Sequence, residues 1–104
     1  MTERISTRIH VVLSFIRALL GEVSPTLRGI TVGLKEKKAK LVCYFDGEIQ
    51  ENDINSMNSV EAEMLADLPE MEIDFNVERL DYPEPLSEKT LDEWLYLRRE
   101  KGRD

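Results

Sequence analysis

The sequence holds one cysteine, Cys43, one histidine, His10, and no long apolar run. Each scarcity excludes something. A lone cysteine leaves no disulfide framework and no cysteine cluster for zinc, and it fits a reducing compartment. A lone histidine without ligand-spaced carboxylates offers no metal centre; its plainer place is on a helix beside the core. The apolar run at 11–13 is broken by Ser14, and Arg17 precedes the run at 18–20, far short of the roughly 18 uncharged residues that a membrane span requires. The apolar positions near the N-terminus are helically spaced, and no small-residue cleavage site follows them, which argues against a secretory signal. The expected compartment is the cytoplasm, with no membrane association.

Motifs of catalysis and cofactor binding are equally scarce. No serine stands in a Gly-x-Ser-x-Gly elbow. Gly29 and Gly33 do not form a phosphate-cradling turn between a strand and a helix. Asp46-Gly47-Glu48 lacks the alternating acidic ligands and closing glutamate of a calcium loop. The expectation is therefore a protein that is not an enzyme and uses neither cofactor nor metal.

What is present is apolar material for one core: 41% of the 104 residues are hydrophobic and 34% charged, as expected for a single domain over residues 1–104. The net charge is −7, and its distribution says more than its sum. Residues 1–40 carry eight Lys/Arg against three Asp/Glu, residues 41–93 two against sixteen, and residues 94–104 four against two. An acidic middle repels phosphate backbones and attracts basic proteins, so the expected partner is a basic protein rather than nucleic acid. The plainer function of such charge is solubility.

Ile5, Ile9, Val12, Leu13, Ile16, Leu19, Leu20 and Val23 recur every three or four residues, which predicts an amphipathic helix over about 3–21 with these side chains inward. Gly21 and Ser24-Pro25 supply its stop. Ile30, Val32 and Leu34 alternate with Gly29, Thr31 and Gly33, a strand with one sparse face. A charged turn at 35–38 leads into residues 39–45, apolar on both faces and so a strand inside the sheet, paired antiparallel with the first. Ile54, Met57, Val60, Met64, Leu65 and Leu68 predict a second helix over about 50–68, closed by Pro69. Residues 71–80 alternate most cleanly, with Met71, Ile73, Phe75 and Val77 facing the core and Glu72, Asp74, Asn76 and Glu78 facing out. Tyr82-Pro83-Glu84-Pro85 reads as an extended connection, residues 94–98 as a last strand, and Gly102-Arg103-Asp104 as a frayed end. The expected fold is α+β, a two-layer sandwich in the order α-β-β-α-β-β. Both helices cover one face of a mostly antiparallel sheet of about four strands, and the other face is partly bare.

Two features point to a binding surface. Glu72, Asp74 and Glu78 fall in one row, extended by Asp81 and Glu84. Like charges on a sheet face repel, and a surface shaped only by stability would intersperse lysines. Carboxylates at i and i+2 on a strand lie about 7 Å apart, too far for paired acid-base work without a pocket. The aromatics Tyr82, Trp94 and Tyr96, the last two expected on one strand face, are residue types enriched at binding interfaces. A solvated face and cross-strand packing are the plainer readings of the two features.

The segments Leu19-Leu20-Gly21-Glu22-Val23, Tyr44-Phe45-Asp46-Gly47-Glu48-Ile49, Glu78-Arg79-Leu80-Asp81-Tyr82-Pro83-Glu84-Pro85 and Trp94-Leu95-Tyr96-Leu97-Arg98-Arg99-Glu100, taken together across nearly the whole chain, resemble one family. They are similar to immunity proteins of contact-dependent growth inhibition systems and of polymorphic toxin systems more broadly. The resemblance implies an antidote that binds the C-terminal toxin domain of a cognate secreted effector in the cytoplasm. Many such toxins are nucleases, including tRNA-cleaving ones, and a nuclease presents a basic cleft that an acidic strip can occupy. The family transfers no catalytic residues. Two other readings stay open: a cytoplasmic adaptor with no toxin partner, and a small enzyme, which would need a pocket of convergent polar groups.

Overall fold

The computed structural model describes residues 2–101, with side chains from Ser6 onward. The side chains of Arg4 and Ile5 and the expected frayed end at 102–104 lie outside the described residues. The elements are α1 (Thr2–Leu19), β1 (Leu27–Lys35), β2 (Lys38–Phe45), α2 (Glu51–Asp67), β3 (Glu72–Arg79), a short 3-10 turn (Ser87–Lys89) and β4 (Glu93–Leu97). Two helices and a four-stranded mixed sheet thus make an α+β fold.

The sheet order is β3-β2-β1-β4. β1 and β2 form a hairpin whose turn carries Glu36 at φ 55°, and β1 also pairs antiparallel with β4. β3, in contrast, runs parallel to β2. The reason is the connection: α2 carries the chain back along the sheet, so the next strand enters in the same direction. The chain then leaves edge strand β3 and crosses the opposite face of the sheet to reach the other edge at β4.

The main core lies between the helices and the inner sheet face. Ile30, Val32, Leu41, Cys43 and Phe45 meet Val11, Phe15 and Ala18 of α1 and Met57, Val60 and Met64 of α2, all nearly inaccessible to solvent. For α1 this corrects the expected orientation. Ile9, Leu13, Ile16, Leu20 and Val23 are 46%, 51%, 48%, 76% and 43% exposed, while Val11, Phe15 and Ala18 turn inward. The helix is apolar around more than half its circumference, so periodicity alone does not choose the buried sector. Small Ala18 and Ser14 let α1 approach its neighbours, and the buried Ser14 hydroxyl donates to Asp67 of α2 at 3.0 Å. Ile54 and Leu65 of α2, expected inward, are likewise about half exposed.

The outer face is not left bare. The sparse Gly29-Thr31-Gly33 side of β1 receives Trp94 and Leu91 from the returning chain, and a Cβ at Gly29 would lie 3.0 Å from the Trp94 ring and 3.3 Å from the Tyr96 carbonyl. Gly29→Ala is therefore expected to cost about 1–3 kcal/mol through overpacking, measured as a fall in the urea midpoint. The buried Thr31 hydroxyl donates to the Glu93 carbonyl at 2.7 Å and accepts from the Leu91 amide at 2.9 Å, pinning the crossover. Leu86 closes a second, smaller core against Val42 and Tyr44, with Leu80 and Trp94 packed on it.

Candidate functional site

The row of acidic side chains on β3 is built by strand alternation, and its neighbours on β2 decide its charge. In the parallel register Glu72 sits beside Lys38, Asp74 beside Lys40, and Glu78 beside Tyr44. The lysines that the sequence pattern lacks within β3 are supplied by the adjacent strand. Lys38 Nζ lies 3.5 Å from Glu72 Oε2, both ends largely exposed, a pair of small energetic weight. Asp74 is half-buried and accepts from the Asn76 amide at 3.2 Å. The row is therefore zoned, with its Glu72–Asp74 half matched by lysine and its Glu78 end facing an aromatic. Burial and the nearby Glu78 carboxylate both push the Tyr44 hydroxyl above its ordinary value.

Beyond Glu78 the chain turns instead of running extended: the Glu84 amide donates to the Asp81 carbonyl at 2.8 Å, and the Tyr82–Pro83 peptide is cis. Asp81 acts here as a clamp. It accepts from the Gly47 amide at 2.8 Å and from both Arg79 nitrogens, at 2.9 and 3.1 Å. The Arg79 guanidinium, followed by the Gly47 amide, holds the Asp81 carboxyl below its ordinary value. The amide of Tyr82 donates to Asp46, and its hydroxyl donates to the Lys101 carbonyl at 2.6 Å.

Tyr82, Glu84 and Trp94 do come together, on the rim and wall of an open groove of about 790 Å³ on the outer face, with Leu86, Leu97 and Lys101. Trp94 meets Tyr44 edge to face, with centroids 6.3 Å apart. Tyr96 does not join them. The β1–β4 register shifts between Ile30, opposite Tyr96, and Thr31, opposite Trp94, so the two aromatics fall on opposite faces, with Tyr96 against the main core. One extra residue in a strand is enough to break the period of two.

The groove floor holds a group that sequence reasoning did not find. Arg28 is 2% exposed; its Nε and Nη2 donate to both oxygens of Glu100 at 2.7 and 2.9 Å, and its Nη1 donates to the Leu80 carbonyl at 2.8 Å. The Tyr82 ring lies 5.7 Å from the guanidinium, within cation–π range. Arg98 bridges Glu100 and Asp46. This network joins β1, the crossover and the chain after β4. The only sequence signal for it is a charged residue at position 28, near the start of a strand whose next six residues are apolar, glycine or threonine.

Hydrogen bonding from Arg28 outweighs burial and holds the Glu100 carboxyl below its ordinary value of 4.5. A carboxyl depressed by folding stabilises the fold above its unfolded-state value and loses that contribution as pH falls through the folded-state value. Thermal stability is thus expected to drop as pH falls below about 4.5, with a smaller drop in Glu100→Gln, measured by melting at pH 3–7.

Among the described residues no group of three or more His, Cys, Asp or Glu is arranged to hold a metal ion, and no helix is long and apolar enough to cross a membrane. Burial pushes the Cys43 thiol up to about 12, which makes it an inert packing residue. His10 is exposed on α1 rather than set beside the core.

The arrangement offers a charged and aromatic surface suited to contact with another molecule. A search of curated proteins found no match. The family model described as MafI2 immunity protein matches residues 8–100. That span covers both helices' buried faces, all four strands and the Arg28–Glu100 pair. The chain belongs to the MafI2 immunity protein family, whose role is to neutralise a cognate toxin.

Proposed function

We propose that the chain neutralises a nuclease toxin, one that can include tRNA among its substrates, by covering its basic cleft with the Glu78–Glu84 end of the acidic surface and the adjoining aromatic groove. The observation that carries this reading is the zoning of β3. Glu72 and Asp74 are matched by Lys38 and Lys40, whereas Glu78 stands beside Tyr44 and Glu84 is exposed on the turn. Tyr82 and Trp94, in the groove beside Glu84, supply the aromatic anchors around which interface energy concentrates. Asp81 keeps its clamping role at the edge, and Tyr96, on the other face of β4 against the main core, holds the strand in place.

A net charge of −7 favours a basic partner and disfavours direct nucleic acid binding. Steering of this kind carries association to about 10⁸ M⁻¹s⁻¹, which suits an antidote acting in the cytoplasm before its toxin turns over. No catalytic step is assigned to the chain, and no cofactor. The test uses the purified C-terminal domain of any large secreted effector encoded immediately upstream, assayed against RNA, tRNA and DNA. Stoichiometric inhibition of cleavage by this chain is the expected result. A domain that binds the chain tightly but cleaves no nucleic acid would refute the nuclease assignment.

A further inference from the structure

The solvent side of α1 carries an apolar stripe of Ile9, Leu13 and Ile16, continued by Leu20 in the turn that follows the helix, between 46% and 76% exposed, and the β3 surface leaves it unused. Its spacing of four, three and four is the seam of a heptad, the pattern by which one helix packs along another. The stripe is also symmetric in sequence. A midpoint between Ser14 and Phe15 relates Leu13 to Ile16 and Ile9 to Leu20, so an antiparallel copy would place each side chain against a partner of similar size. The flanks carry a matching symmetry of charge. Along one side lie Arg17 with Asp67, 3.0 Å apart, and toward the helix N-terminus His10 with Glu70, which line the same two surface depressions. A two-fold axis across the midpoint keeps this flank on the same side in both copies and reverses its direction. Arg17 of each copy then falls at the level of Val12 of the other, two residues from His10, with which Glu70 shares its depressions.

We propose that α1 pairs antiparallel with α1 of a second copy of this chain, through this stripe and about that two-fold axis. Such an isologous contact is self-complementary. The stripe spans about 17 Å of helix, and a patch of a few hundred Å² falls short of the roughly 800 Å² per partner of a standard interface. The dimer is therefore weak and concentration-dependent. This proposal does not rest on the toxin-binding reading, which uses the opposite side of the fold.

Sedimentation equilibrium of the full chain from 1 to 500 μM tests it. The wild type is expected to pass from monomer to dimer. Leu13→Glu and Ile16→Glu, both at exposed positions, are expected to raise the dissociation constant at least ~30-fold, each substitution entering the interface twice, with unchanged circular dichroism and melting temperature. Arg17→Glu and Glu70→Arg should each weaken the dimer, and the double variant should regain it. A wild type that stays monomeric across the range, or a dimer indifferent to Leu13→Glu and Ile16→Glu, would overturn the proposal; a double variant no tighter than its single variants would overturn the antiparallel register.

Discussion

Glu100→Ala is expected to destabilise the protein by about 3 kcal/mol, which for a domain of this size is a fall of roughly 12–20 °C in melting temperature. The Arg28 and Glu100 side chains are 2% and 3% exposed. Removing one partner strands the other charge away from water, and that desolvation cost, rather than the lost attraction, dominates. Arg28 would keep its bond to the Leu80 carbonyl, the Tyr82 ring and the more distant Asp46 charge, but would lose the carboxylate to which two of its nitrogens are bonded. Glu100→Gln, which keeps an acceptor oxygen, should lie between wild type and Glu100→Ala. Replacing both partners together, as Arg28→Met with Glu100→Leu, should cost far less than either single deletion, because two apolar side chains need no solvation. Thermal melting of the three variants beside the wild type at pH 7 checks the order. A double variant as unstable as Glu100→Ala would show that the network's other members, Arg98 and Asp46, need the pair in place.

Reversing Glu78 and Glu84 together to lysine is expected to slow association with the cognate toxin domain about 10–100-fold at low ionic strength. Both side chains are exposed, so folding should be unaffected. The difference should shrink as salt rises past about 0.15 M, where screening acts within roughly 8 Å. Reversing Glu72 instead should change the rate by less than ~3-fold, because Lys38 already lies beside it. Stopped-flow association at two salt concentrations separates these cases. Equal effects from the two ends of β3 would contradict the zoning and return the whole row to the interface.

The elements themselves were legible because each rests on local periodicity. Alternation at 71–80 and helical spacing at 50–68 recur as β3 (Glu72–Arg79) and α2 (Glu51–Asp67), each end shifted by one residue. What stayed hidden depends on partners distant in sequence. The pattern of α1 showed abundant apolar residues without showing that Val11, Phe15 and Ala18 would be the ones buried, since several sectors of that helix were apolar enough to serve. The pairing of β3 with β2 was not visible, and with it went the lysines that lie beside Glu72 and Asp74. The bulge that separates Trp94 from Tyr96 has no signature within residues 93–97. The Arg28–Glu100 pair joins residues 72 positions apart, and each alone reads as an ordinary surface charge. Of the candidate site, Tyr82, Glu84 and Trp94 converge on one groove because the crossover returns over the outer face, a path that only the sheet order dictates.

The most direct measurement is growth of cells expressing the C-terminal domain of any large secreted effector encoded immediately upstream, with and without this protein. The account predicts arrested growth with the domain alone, restored growth on co-expression, and recovery of the two chains as one complex. A lethal domain whose killing this protein leaves unchanged would contradict it.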